Sequence, residues 1–191
     1  SRMTPGDIGL SAEVGLAELA LSGCTCSSDH LYLFPNGSRL DDSIEAAARI
    51  GIRFTATRGA MSIGESKGGL PPDALVEDEA AILRDSERVV DAFHDAGEGA
   101  MVQVALAPCS PFSVSRELMR DAAILAREKG VRLHTHLAEN DEHALSIARR
   151  CVANLNWRKL GKLQLKTPSA PLYPAEELHG LVPADPKQPL E

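Results

Sequence analysis

The stretch "AMVQVALAPCSPFSVSRELMRDAAILAREKGVRLHTHLAEN", residues 100–140, decides the fold. "AMVQVALAP" is an almost continuously apolar run and reads as a strand buried on both faces. "SRELMRDAAILAREKG" has helical spacing, with Ser115 as its cap and Gly130 as its stop. "VRLHTH" reads as the next strand. A strand, a helix and a strand in this order form a parallel pair with a right-handed crossover.

The same alternation extends toward the N-terminus. Thr4-Pro5 caps and opens a helix over "DIGLSAEVGLAELALS", which Gly23 ends. "CTCSSDH" reads as a short buried strand, "RLDDSIEAAARI" as a helix closed by Gly51, and "IRFTATRG" as a strand. Residues 60–76, rich in Gly, Ser and Pro, read as a long loop of the kind often tied to function. "EDEAAILRDSERVVDAFHDAG" completes the series as a helix that carries an exposed His94. Two α/β architectures fit this order: an open doubly wound sheet, or part of a (β/α) barrel. No Gly-rich phosphate loop follows any strand, and "GESKGG" lacks the P-loop spacing, which argues against nucleotide binding.

The last third differs in character. Residues 1–140 carry 13 basic and 21 acidic side chains, whereas residues 141–191 carry 7 and 6. Six of the 12 prolines lie between Pro168 and Pro189. After a helical pattern in "DEHALSIARRCVANLNWRK", this composition predicts an extended tail.

The 191 residues suffice for one good-sized core. A formal net charge of -7 argues against nucleic acid as a partner. No apolar run reaches the length of a membrane span, and "SRMTPGDIGL" has no signal-peptide segment. The absence of Met at position 1 reads as a trimmed or internal chain. Four cysteines without a CxxC pair fit a reduced, cytoplasmic protein.

"HTHLAE" carries the chemistry. His134 and His136 share one face of a strand, and in a barrel that face is the interior. Glu139 follows on the loop. A metal on His136 would activate water, and a neighbouring carboxylate could move its proton to a leaving nitrogen. The alternative is a pair of core histidines at a strand end. His30 is either a further ligand, a substrate contact or a loop cap. Cys109, in "APCSPFS", is either a nucleophile or a small buried residue beside a turn. Arg58, at the end of its strand, is either a substrate contact at the rim or one half of a surface salt bridge. Asp29 either orients His30 or caps the next turn.

Four blocks in order, "GCTCSSDHLYLFP", "RGAMSIGESKGGLPPD", "APCSPFSVSRELM" and "LHTHLAEN", resemble the amidohydrolase superfamily. The similarity is to its cytosine/guanine deaminase and chlorohydrolase group, in the 8-oxoguanine-type branch, over about residues 2–140. The resemblance implies a partial TIM (β/α) barrel of about four βα units, followed by the Pro-rich C-terminal tail. It implies one divalent metal, usually zinc, with His136 as ligand and Glu139 as proton shuttle. It further implies a small purine-like substrate that loses its amino group, with Arg58, Cys109 and His30 on the substrate side. The family's first-strand HxH pair would precede residue 1, and its sixth-strand His and eighth-strand Asp would follow residue 140. An incomplete, poorly active fragment is therefore expected. Half a barrel could instead persist as a non-catalytic homo-oligomer that covers its open edges. Residues 141–191 resemble a segment of the carboxyltransferase beta subunit of acyl-CoA carboxylases, which makes a joined product or a carboxylase-related scaffold a further expectation.

Overall fold

A computed structural model describes residues 2–136. Glu139, His143, His179 and the expectations for the helix and tail at 141–191 lie outside the described residues. Within them the order is α1 (Pro5–Leu21), β1 (Cys26–Ser28), α2 (Leu40–Ile50), β2 (Arg53–Ala60), α3 (Glu79–Phe93), β3 (Val102–Pro108), α4 (Arg116–Lys129) and β4 (Arg132–Leu133). The four strands form one parallel sheet in the order β1-β2-β3-β4. Strands that neighbour one another in sequence order and alternate with helices are the repeating unit of a (β/α) barrel.

The helix ends follow local chemistry. Thr4 and Asp7 form a reciprocal capping box at the start of α1. Asp78 and Ser115 accept the N–H groups of Ala81 and Leu118 at the starts of α3 and α4. Gly51 and Gly130 end α2 and α4 with φ of 77° and 69°, the left-handed region that glycine enters without steric cost.

Alternation divides the sheet into two faces. Phe54 and Ala56 of β2 and Val104 and Leu106 of β3 pack with Leu40, Ile44 and Val89 of the helices. Full burial of a side chain such as Leu106 or Val89 contributes about 1.5–3 kcal/mol. The opposite face holds Thr55, Thr57 and Gly59 of β2, with Ala105 and Ala107 of β3. In a barrel this is the interior.

The described β4 ladder is shorter than the expected strand over 131–136. It stops at Leu133, yet the N–H groups of His134 and His136 still reach the carbonyls of Leu106 and Cys109, both at 2.8 Å. The spacing on β3 is one residue longer than on β4, so the regular ladder breaks while the chain stays against its neighbour.

Ala60, expected to open the loop, is the last residue of β2, and the loop that follows it contains two single 3₁₀ turns, Glu65–Lys67 and Asp73–Leu75. Its backbone is tied to the loop after β3, because Ser62 and Ile63 both donate to the Ser113 carbonyl, at 2.7 and 3.0 Å. Asp73 accepts from the Ser66 hydroxyl at 2.8 Å.

Candidate active site

The carboxyl ends of the strands gather three histidines. His30 follows β1, and His134 and His136 follow β4. Their rings lie close, with centroids 4.6 Å apart for His30 and His134 and 4.4 Å for His30 and His136. His30 Nδ1 stands 2.9 Å from His136 Nε2, and His30 Nε2 stands 3.2 Å from the carbonyl of Ala107 on β3. Tyr32 meets the His30 ring edge-on at 5.4 Å.

Two features bring His30 across the sheet. Asp29 clamps β2: its carboxylate accepts the Thr57 N–H at 2.8 Å, and its backbone carbonyl accepts the Thr57 hydroxyl at 2.7 Å. Gly59 then lets the chain pass. A Cβ there would lie 2.7 Å from Cβ of Tyr32 and closer still to the backbone of Leu31. Gly59 N–H instead donates to the Leu31 carbonyl at 2.7 Å.

Burial perturbs both groups. It pushes the Asp29 carboxyl up from 3.8 to about 6, against the opposing hydrogen bonds from Thr57. Burial also lowers the His30 pKa, helped by repulsion from His136 and His134, although the hydrogen bond to Ala107 opposes this. His30 is therefore a neutral imidazole near pH 7.

The family model described as "Amidohydrolase family" matches residues 2–150. The chain belongs to the amidohydrolase family. Among curated relatives, this amidohydrolase is 51% identical to 8-oxoguanine deaminase of Pseudomonas aeruginosa, over 78% of this chain and 34% of that protein. It is 39% identical to hydroxydechloroatrazine ethylaminohydrolase of Pseudomonas sp. strain ADP, over 77% and 31%. Among solved structures, it matches the zinc complex of atrazine chlorohydrolase from Arthrobacter aurescens TC1, with TM-score 0.70 and 31% identity, over 82% of this chain and 35% of that one. The amidohydrolase chain thus spans about a third of the length of the relatives it matches. The family match runs ten residues past Asn140, where the deaminase resemblance was expected to end. It bears on residues 2–150 alone, so the carboxyltransferase resemblance of the tail rests on sequence alone.

The family implies a metal, and the donors fit it in kind. A neutral imidazole is the form that ligates, and three imidazoles gather at the carboxyl ends of β1 and β4. In number they fall short: among the described residues no group of three His, Cys, Asp or Glu side chains is placed to hold a metal ion. The close ring centroids do not contradict this, because His30 and His136 aim nitrogens at each other and not at a shared point.

The other candidates are dispersed. Cys109 is buried, and its carbonyl accepts the His136 N–H, so its backbone supports the histidine cluster. Cys24 and Cys26 form no disulfide. Arg58 is a correction. Alternation places it with Phe54 and Ala56 on the helix face, where its side chain is 2% exposed. There it donates to Asp85 at 2.7 Å and to both oxygens of Glu77, at 3.1 and 2.8 Å, and it lies 4.1 Å over the Phe34 ring. It is neither a rim contact for substrate nor a surface pair. His94 is a second correction. It caps α3, half-buried, and its Nδ1 accepts the Val104 N–H at 3.0 Å.

Tyr32 and Thr57 are site residues that the sequence did not mark. The only available signals were the position of Tyr32 two residues after His30 and the alternation of β2, which puts Thr57 on the face opposite Phe54 and Ala56.

Proposed function

We propose that this amidohydrolase sequence contributes part of the active site of a zinc-dependent aminohydrolase that removes the amino group from a purine-like ring of the 8-oxoguanine type. One observation carries the reading: His30 and His136 meet at the strand ends, in a chain 51% identical to an 8-oxoguanine deaminase. Zinc bound at the site would supply Lewis-acid activation of a water for attack on the ring carbon.

His136 would hold the cation through its imidazole, and its main chain is fixed on the Cys109 carbonyl. Glu139 takes a proton from the attacking water and returns it to the departing nitrogen. The C–O bond forms, the C–N bond breaks, and ammonia leaves. Once a cation takes His136 Nε2, His30 Nδ1 would be released to hydrogen-bond the heterocycle, and Cys109 narrows the same end of the sheet. The compartment is the cytoplasm, in keeping with the unpaired-thiol composition.

A catalytic zinc normally takes three protein ligands. Among the described residues that set is not complete, and slow turnover is expected when the 191-residue chain is assayed alone. The test is ammonia release from 8-oxoguanine by the zinc-supplemented chain. Release that disappears in both His136→Ala and Glu139→Gln supports the reading, and release that persists in both variants removes it.

A second reading, assembly of copies without catalysis, is favoured by the apolar residues that α1 exposes. Leu10, Val14 and Leu21 are 60%, 55% and 90% exposed. Concentration-dependent folding that ignores zinc would support this reading.

A further inference from the structure

We infer that Cys24 and Cys26 form a reversible dithiol site: Cys26 attacks a small-molecule disulfide, and Cys24 resolves the adduct into a Cys24–Cys26 disulfide. The pair lies at the amino end of the sheet, away from the histidines that follow β1 and β4. Gly23, with φ of 94°, turns the chain out of α1, and the Cys24 N–H closes that turn on the Leu19 carbonyl at 2.9 Å. The parallel ladder begins only at Cys26, opposite Arg53. Cys24 therefore precedes the first rung and can shift without breaking a strand pair. Its thiol already folds forward along the chain and donates to the Cys26 carbonyl at 2.9 Å.

Reach, access and charge point the same way. Two residues of extended chain span about 6.6 Å, within the roughly 4.4–6.8 Å that a disulfide bridges between Cα atoms. Cys26 is exposed and Cys24 only partly so, the asymmetry of an attacking and a resolving thiol. Arg53 is the register partner of Cys26, so the two side chains leave the same face of the sheet. Its guanidinium donates to the carbonyl and the hydroxyl of Thr25, the residue between the two cysteines, at 3.3 and 3.1 Å. A fixed cation thus stands beside the thiol that has to attack as a thiolate. Cys109, by contrast, is buried.

The chemistry is thiol–disulfide exchange. The Cys26 thiolate attacks one sulfur of the small disulfide, whose S–S bond breaks, and one small thiol leaves. Cys24 then gives up its proton and attacks the Cys26 sulfur, and the second small thiol leaves. The cysteine pair is oxidised by two electrons and the small disulfide is reduced to two thiols. Cytosolic disulfides, where they occur, are mostly of this transient kind.

The experiment treats the full 191-residue chain, reduced and carrying Cys151→Ser, with glutathione disulfide. Acid-quenched samples are read by intact mass and peptide mapping. The expected product has lost two hydrogens, retains no glutathione, maps to a bridge between Cys24 and Cys26, and returns to the starting mass with dithiothreitol. Adding Cys24→Ser is expected to stop the reaction at a glutathione adduct on Cys26, and adding Cys26→Ser to leave the chain unmodified. A chain with both cysteines intact that keeps glutathione on Cys26, or in which Cys26 does not react, overturns the inference. So does a bridge that includes Cys109. These outcomes need no substitution at 24 or 26, so they decide the matter whether or not the serine variants fold. None of them depends on zinc or on deaminase activity.

Discussion

Asp29 and Thr57 are joined twice, once through the Asp29 carboxylate and once through its backbone carbonyl, at 2.8 and 2.7 Å. This double contact fixes the end of β1 on β2 just before His30, in surroundings that desolvate the carboxyl. Its pKa is raised to about 6 from an ordinary 3.8. Between those values the folded chain holds a proton that the unfolded chain has released. Stability contributed by Asp29 is therefore full below about pH 3.8 and lost as pH rises through about 6. The size is at most about 3 kcal/mol at about 1.4 kcal/mol per pKa unit. Urea unfolding from pH 4 to 7 is expected to show this decline, and Asp29→Asn is expected to flatten it. An identical slope in the variant would show that other groups cause it.

Arg58 links Glu77, just before α3, with Asp85 on that helix. Removing one partner of a buried ion pair leaves the others desolvated and uncompensated. Glu77 and Asp85 keep 29% and 22% side-chain exposure, which places the cost toward the low end. Arg58→Ala is expected to lose about 3 kcal/mol. Arg58→Lys retains the charge but not the forked contact and recovers only part of this. Chemical denaturation of the two variants measures the difference. A neutral Arg58→Ala would mean that the carboxylates find water instead.

Gly59 has room for no side chain, since Leu31 and Tyr32 pass directly against it. Gly59→Ala is expected to displace this segment at a cost of about 1–3 kcal/mol. Because His30 lies just before Leu31, the His30–His136 contact should be lost together with the stability. Histidine NMR and thermal unfolding on the same sample check both effects. A destabilised chain that keeps the histidine contact would separate the two.

Much of this was legible in the sequence. Helix boundaries followed from Thr4, Ser115, Gly51 and Gly130, because caps act within one turn of the chain. The helix–strand alternation gave a parallel sheet. The place of Arg58 could also have been read: Phe54 and Ala56, two and four residues earlier, are apolar, so Arg58 shares the face that packs on helices. What could not be read was the meeting of His30 with His136. They are 106 residues apart and follow strands at opposite ends of the β1-β2-β3-β4 order. Their contact depends on the clamp at Thr57 and the missing side chain at Gly59, neither of which has a periodic signature. His94 departs from the expected exposed position because α3 ends at Phe93, before its helical pattern does, and the ring turns back onto β3.

On the proposed function, the strand-end cluster binds a divalent cation through His136. The most direct measurement is a zinc titration of the histidine-labelled chain, followed at each ring and repeated with His136→Ala. Shifts confined to His136 and its neighbours His30 and His134, with His94 unmoved and the response lost in the variant, are the expected result. A cluster that stays silent while zinc is added, or a response equally strong without His136, would contradict it.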